Sequence, residues 1–159
     1  MNFKTIIFWT MLLPTYALGL EIYPQVSGTI ISIKSVGDVV NKGDVLAQID
    51  NRQAELDIKH LQVLQSVKQQ VFDDKKLELQ QTQELYDRMV SSLRDLDLAK
   101  MAFDKAKREL DAHNLKIEIA KIELEKYTIK SPISGTVKAL PNSRNVVSKH
   151  APKVLMIIE

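Results

Sequence analysis

Hydrophobic positions divide this chain into three unlike parts. From Leu96 onward they recur in alternating steps of three and four: Leu96, Ala99, Phe103, Ala106, Leu110, His113, Ile117, Ala120, Leu124 and Tyr127. A 3.5-residue period is the seam of a left-handed coiled coil, and large residues alternating with mostly small ones let two helices approach closely. Before Leu96 the same frame is fainter. Ala54, Ile58, Leu61, Phe72, Leu79, Tyr86 and Met89 fit it, Gln65, Lys68, Lys75 and Thr82 interrupt it, and Leu64, Val67 and Val71 suggest a drifting stripe. Residues 44–131 contain neither Gly nor Pro and are rich in the good helix formers Leu, Lys, Glu, Gln and Ala. The pattern predicts two helices of about 35 residues, each about 50 Å long at 1.5 Å per residue. The break falls at "RMVSSLRD", residues 88–95, where paired serines favour a turn. Ser92 followed by Asp95 predicts the N-cap of the second helix, and Asp50 followed by Gln53 that of the first.

The flanks read as strands. Val26, Ile30, Val39, Val45, Leu46 and Ile49 are apolar, with Gly28, Gly37 and Gly43 punctuating them. The second flank repeats the first. Val26-Ser27-Gly28-Thr29-Ile30 aligns with Ile133-Ser134-Gly135-Thr136-Val137, and Val39-Val40-Asn41-Lys42 with Val146-Val147-Ser148-Lys149. After a two-residue slip, Val45-Leu46 matches Val154-Leu155, and Ile49-Asp50 matches Ile158-Glu159. Neither flank has strands enough to bury a core alone. The expectation is an α+β chain: an α-hairpin (51–127, tip near 88–95) inserted between two halves (21–50 and 128–159) of one small β-sandwich. Arg144 and His150 stand where the first copy has Gly37 and Gly43, so Asn142 and Asn145 are expected to supply left-handed turns instead.

The N-terminus changes the picture of where the protein resides. Lys4 precedes an apolar stretch ending in Ala17-Leu18-Gly19, the pattern of a secretory signal over residues 1–19. The stretch contains Pro14 and is short for a membrane span, which needs about 20 residues. An uncleaved inner-membrane anchor is the alternative. There is no cysteine, hence no disulfide and no cysteine-linked lipid anchor, and a Gram-negative periplasm is the expected location.

Charge and composition exclude several functions. Lys plus Arg number 22 against 20 Asp plus Glu, so no basic footprint for nucleic acid exists. The 14 basic and 15 acidic residues between 51 and 127 read as the wet surface of the hairpin. His60, His113 and His150 are far apart, and no histidine pair stands at i,i+3 or i,i+4, so no metal site is expected. No glycine-rich phosphate loop occurs. Asp73 and Asp74 sit beside Lys75 and Lys76 on a thin arm without a cleft, so no enzyme activity and no cofactor are expected.

The order of "GTIISIKSVGDVVNKGDVLAQID", a long hairpin, and "YTIKSPISGTV" resembles the periplasmic adaptor, or HlyD-like membrane fusion, proteins of efflux pumps and type I secretion systems. The resemblance spans roughly residues 21–159. It implies a lipoyl-like domain split around the hairpin, self-association, and contact with an inner-membrane transporter or a fuller adaptor. It also implies that the hairpin tip docks onto a TolC-type outer-membrane channel. Tips of that family carry an arginine, a leucine four residues later and a serine seven after that. Leu85 and Ser92 keep the leucine–serine spacing, Asp95 and Asp97 follow where acids are common, and Gln81 stands in place of the arginine. Adaptors continue into a β-barrel and a membrane-proximal domain, so a chain ending at Glu159 is expected to be a minimal adaptor or a fragment. A freestanding periplasmic scaffold is the first alternative. The second is a lipoyl or biotinyl carrier. Asp104-Lys105-Ala106 echoes a lipoylation site, but in mid-helix no β-turn can present Lys105.

Overall fold

The structure, a computed structural model, describes residues 19–141 and 145–159. The expected signal up to Leu18, together with Asn142 and Arg144, lies outside them. Among the described residues no helix is long and apolar enough to cross a membrane. The fold is α+β, a two-helix hairpin inserted in a small β-domain. In chain order the elements are β1 (Leu20–Ile22), β2 (Gly28–Ile33), β3 (Val39–Val40), β4 (Val45–Ile49), α1 (Arg52–Asp87), α2 (Leu93–Glu125), β5 (Thr128–Lys130), β6 (Gly135–Ala139), β7 (Val146–Val147) and β8 (Met156–Ile158).

The repeat is built as an exchange. One sheet has the order β1-β8-β6-β3 and the other β5-β4-β2-β7. Replacing each strand by its counterpart in the other copy converts one order into the other. In each sheet one copy supplies the two central strands and the other copy the two edges. Ile22, Val40, Leu46 and Ile49 meet their counterparts Ile129, Val147, Leu155 and Ile158 in a single core. The hydrogen bonds between copies are duplicated as well. The Lys42 amide donates to the Ser134 hydroxyl at 3.0 Å, and the Lys149 amide to the Ser27 hydroxyl at 3.0 Å. Ile30 N–H donates to Asn145 O at 2.7 Å, and Val137 N–H to Asp38 O at 2.9 Å.

Gly28 and Gly135 occupy equivalent close approaches. A Cβ on Gly28 would lie 2.7 Å from a methyl of Ile49, and one on Gly135 would lie within 2.9 Å of Ile158. Gly37 and Gly43, both at φ +95°, make the left-handed turns of the first copy. The second copy turns differently. Asn145 and His150 are not at positive φ, since Met89 is the one non-glycine residue there among the described residues. The expected left-handed Asn145 is thus corrected, and β8 is three residues long against five in β4.

The hairpin leaves the sandwich through paired strands. β4 runs antiparallel to β5, with Gln48 opposite Thr128, and Ile49 N–H donates to Tyr127 O at 2.8 Å. Both helix ends are therefore fixed side by side. Asn51, not Asp50, holds the N-cap position of α1, and its side chain makes no cap bond. Asp50 accepts instead from the Arg52 guanidinium and, at 3.2 Å, from Arg52 N–H, which together hold its carboxyl down at about 2, and Gln53 reaches forward to Asp57. A charged partner two residues on competes with the capping role, which is why the expected Asp50–Gln53 box is absent.

On α2 every described seam residue from Leu96 to Tyr127 is buried or half-buried. On α1 the seam does not drift. Ala54, Ile58, Leu61, Gln65, Lys68, Phe72, Lys75, Leu79 and Thr82 are buried or half-buried in unbroken steps of four and three, while Leu64, Val67 and Val71 are exposed. The polar members remain because α2 answers them. Gln65 donates to Asn114 at 2.8 Å, Lys68 pairs with Glu109 at 2.6 Å, and buried His113 donates through Nε2 to Leu61 O at 2.7 Å. Lys68 holds the Glu109 carboxyl below its ordinary range. Farther out Phe72 meets Phe103 with ring centroids 5.4 Å apart.

Two outcomes test this account. Deleting residues 133–159 removes two central strands of one sheet and an edge of the other, so residues 21–50 should become protease-sensitive. A protected N-terminal half in limited proteolysis would show that the copies fold separately. His113→Leu should raise the melting temperature by a few degrees. Leu61 O still accepts the helical N–H of Gln65, and the buried alkyl contributes about 1–2 kcal/mol. A lowered melt would mean that the imidazole bond outweighs that burial.

Candidate functional site at the hairpin tip

Helix α1 ends in a turn that its sequence does not favour. Met89 N–H donates to Tyr86 O at 2.9 Å and Val90 N–H to Leu85 O at 2.8 Å, the paired bonds of a Schellman motif. That motif needs a left-handed residue, usually Gly, and here Met89 takes it at φ +59°. For an L-residue with a Cβ this conformation costs about 1–2 kcal/mol. The side chain so placed is 95 % exposed. Tyr86 and Met89, expected on the seam, are both exposed: Tyr86 stands in the last turn of α1, and Met89 lies beyond Asp87, where the helix stops.

Across the turn, α2 begins with a complete capping box. Asp95 N–H donates to the Ser92 hydroxyl at 3.2 Å, and the Asp95 carboxylate accepts from that hydroxyl and from Ser92 N–H. These two bonds hold the Asp95 carboxyl below its ordinary value, the hydroxyl contributing most. The tip is therefore a defined loop of five residues, 88–92, between two terminated helices.

What the tip presents is apolar. Leu85, 44 % exposed, lies with Tyr86, Met89, Val90 and Leu93 at the end of the hairpin, and all are exposed. Just below, a groove of about 590 Å³ opens between the helices, with Leu79, Leu93, Leu96 and Phe103 along it and Lys76, Lys100 and Asp97 also lining it. The sequence-predicted site residues divide into two pairs. Gln81 and Leu85 are one turn apart on α1, on neighbouring positions of its exposed surface. Ser92 and Asp95 start α2 and are bonded to each other. Among the described residues no hydrogen bond joins the pairs. Sequence reasoning put Met89 on the seam and did not assign Met89, Val90, Leu93 or the groove to the site. The available signal was Met89-Val90, two large apolar residues in an otherwise polar turn.

Residues 19–150 match the family described as the barrel-sandwich hybrid domain of RND membrane fusion proteins. The chain belongs to the membrane fusion proteins. It is similar to MacA from Actinobacillus actinomycetemcomitans, with 28 % identity and a TM-score of 0.53 over 87 % of this chain and 48 % of MacA. The membrane fusion protein Spr0693 from Streptococcus pneumoniae R6 shares the fold at 19 % identity, with a TM-score of 0.67 over 89 % of this chain and 59 % of that one. So does the soluble domain of LipC, a membrane fusion protein of a type I secretion system: 15 % identity, TM-score 0.56, 89 % of this chain and 99 % of that one. The chain spans about half the length of MacA. No curated protein matches it by sequence.

For a membrane fusion protein, the strained turn is the informative feature of this tip. Met89→Gly should raise stability by about 1 kcal/mol, because glycine takes the left-handed conformation without the Cβ clash. Thermal melts of parent and variant measure this. An unchanged or lowered melt would mean that the Met89 side chain contributes packing that offsets the strain.

Proposed function

We propose that this membrane fusion protein is the periplasmic adaptor subunit of a tripartite efflux or type I secretion assembly, and that its hairpin tip docks onto a TolC-type outer-membrane channel. It acts without catalysis, as a homo-oligomer beside an inner-membrane transporter or a fuller adaptor. The observation that carries the docking reading is the uncovered apolar cluster at the tip: Leu85, Met89, Val90 and Leu93 sit at the end of a rigid arm with no core of their own to enter. An exposed apolar group of this kind on a defined turn marks an interaction site. The groove below it, apolar along its floor and lined at its sides by Lys76, Lys100, Asp97 and two glutamines, suits the end of a partner helix. Gln81, where adaptors of this kind carry arginine, points to a channel with an altered polar contact.

Capture of a purified TolC-type channel by the immobilised chain tests the reading. Full burial of Leu85 contributes roughly 1.5–3 kcal/mol, so Leu85→Asp should weaken capture by about one to two decades and leave the melt nearly unchanged. Gln81→Arg should tighten it. Normal capture by Leu85→Asp would remove the tip from the contact and favour a freestanding scaffold with another partner.

A further inference from the structure

Met89 is a reactive group as well as an apolar one. The chain has five methionines and no cysteine. Met1 and Met11 lie outside the described residues. Of the other three, Met156 is fully buried in the β-domain core, Met101 is 67 % exposed on α2, and Met89 is 95 % exposed. With no thiol in the chain to compete, the thioethers are the groups that a two-electron oxidant attacks first.

The backbone separates Met89 from Met101 further than exposure does. Met101 lies within α2, where a long side chain folds back over the preceding turn. Met89 stands past the end of α1 in a left-handed conformation at φ +59°, so its side chain leaves the hairpin axis instead of lying along a helix. Its neighbours Arg88 and Val90 are exposed too and do not shield it. A tip that displays apolar groups thus carries its one sulfur atom at its most exposed position, where a helix-ending turn favours glycine.

We propose that Met89 is a modification site, converted to its sulfoxide by hydrogen peroxide or another hydroperoxide while the tip is undocked, and that the sulfoxide weakens docking. The sulfur lone pair attacks one peroxide oxygen. An S–O bond forms as the O–O bond breaks, and the proton on the transferred oxygen passes to the departing hydroxide, giving water. Sulfur is oxidised by two electrons and the peroxide is reduced. The product places a polar S–O group among Leu85, Val90 and Leu93, and burying that group without a donor costs affinity. Docking covers the sulfur, so the reaction acts on the free chain and prevents assembly rather than undoing it. The chemistry is independent of the docking reading, and its consequence rests on that reading.

Limited treatment of the full chain with hydrogen peroxide, followed by peptide mass spectrometry, reads the site. Met89 should be oxidised several-fold faster than Met101, and Met156 should stay unmodified with the melt unchanged. Oxidation of Met101 as fast as Met89 overturns the site. Capture of the purified TolC-type channel reads the consequence. The oxidised chain should bind about tenfold more weakly, and methionine sulfoxide reductases supplied with a dithiol should restore binding. Each variant is compared with its own untreated sample: peroxide should weaken capture by Met101→Leu as it does the parent, and should not change capture by Met89→Leu. A loss in Met89→Leu would place the sensitive group elsewhere. Equal capture by the parent before and after oxidation overturns the consequence and leaves docking standing. No capture by the untreated chain removes docking and the consequence together, while the peptide rates still decide the site.

Discussion

The exchange of strands between the two copies is the constraint on which the rest of the structure hangs. Each sheet needs central strands from one side of the hairpin and edges from the other. The chain must therefore leave the β-domain at Ile49 and return at Thr128 before either sheet is complete. Because β4 and β5 are neighbours, the two crossing points are also the two feet of the hairpin. An insertion of this length is tolerable because loop-closure entropy grows slowly with length and because the inserted segment supplies its own antiparallel partner. Gly28 and Gly135 keep the exchange tight, each letting a strand of its own copy end against bare backbone.

Much of this was legible in the sequence. The seam of α2 could be read position by position, because the 3.5-residue period runs unbroken from Leu96 to Tyr127. The repeat was visible through its two Ser-Gly-Thr segments, and the fold class followed from where the hairpin lay between them. The strand exchange was not legible, since an internal repeat fits two separate halves as well as two interleaved ones. Gln65 and Lys68 read as interruptions of α1 for a related reason. A polar residue on a seam is satisfied only by a partner about 40–50 residues away in the chain, and periodicity does not report such pairing. Asp50 misled in the opposite direction. Its residue type suits an N-cap, and the neighbouring Arg52 claimed its carboxylate.

The candidate site was half legible. Leu85, Ser92, Asp95 and Gln81 were proposed from a family resemblance in spacing; Gln81 and Leu85 stand in the last turns of α1, and Ser92 and Asp95 at the start of α2. Met89 could not be found that way, because its left-handed backbone is set by where α1 stops. The sequence spells a seam residue there, and the helix ends two positions too early for it to be one. The contrast between Ser92, whose hydroxyl is engaged on both counts by Asp95, and Leu85, which stays 44 % exposed, separates the groups that build the tip from those that it displays.

The hairpin also has a mechanical side. Its arms, 36 and 33 residues long, extend about 50 Å from a footing only three residue pairs wide in the β4–β5 ladder. A rod of that length swings its end by about 1 Å for each degree of tilt at its foot. Small differences in how the β-domain is seated therefore arrive at the tip as displacements comparable to an atomic radius. The β-domain thus serves as the aiming mount of the arm, and its rigidity sets how accurately the far end can be placed.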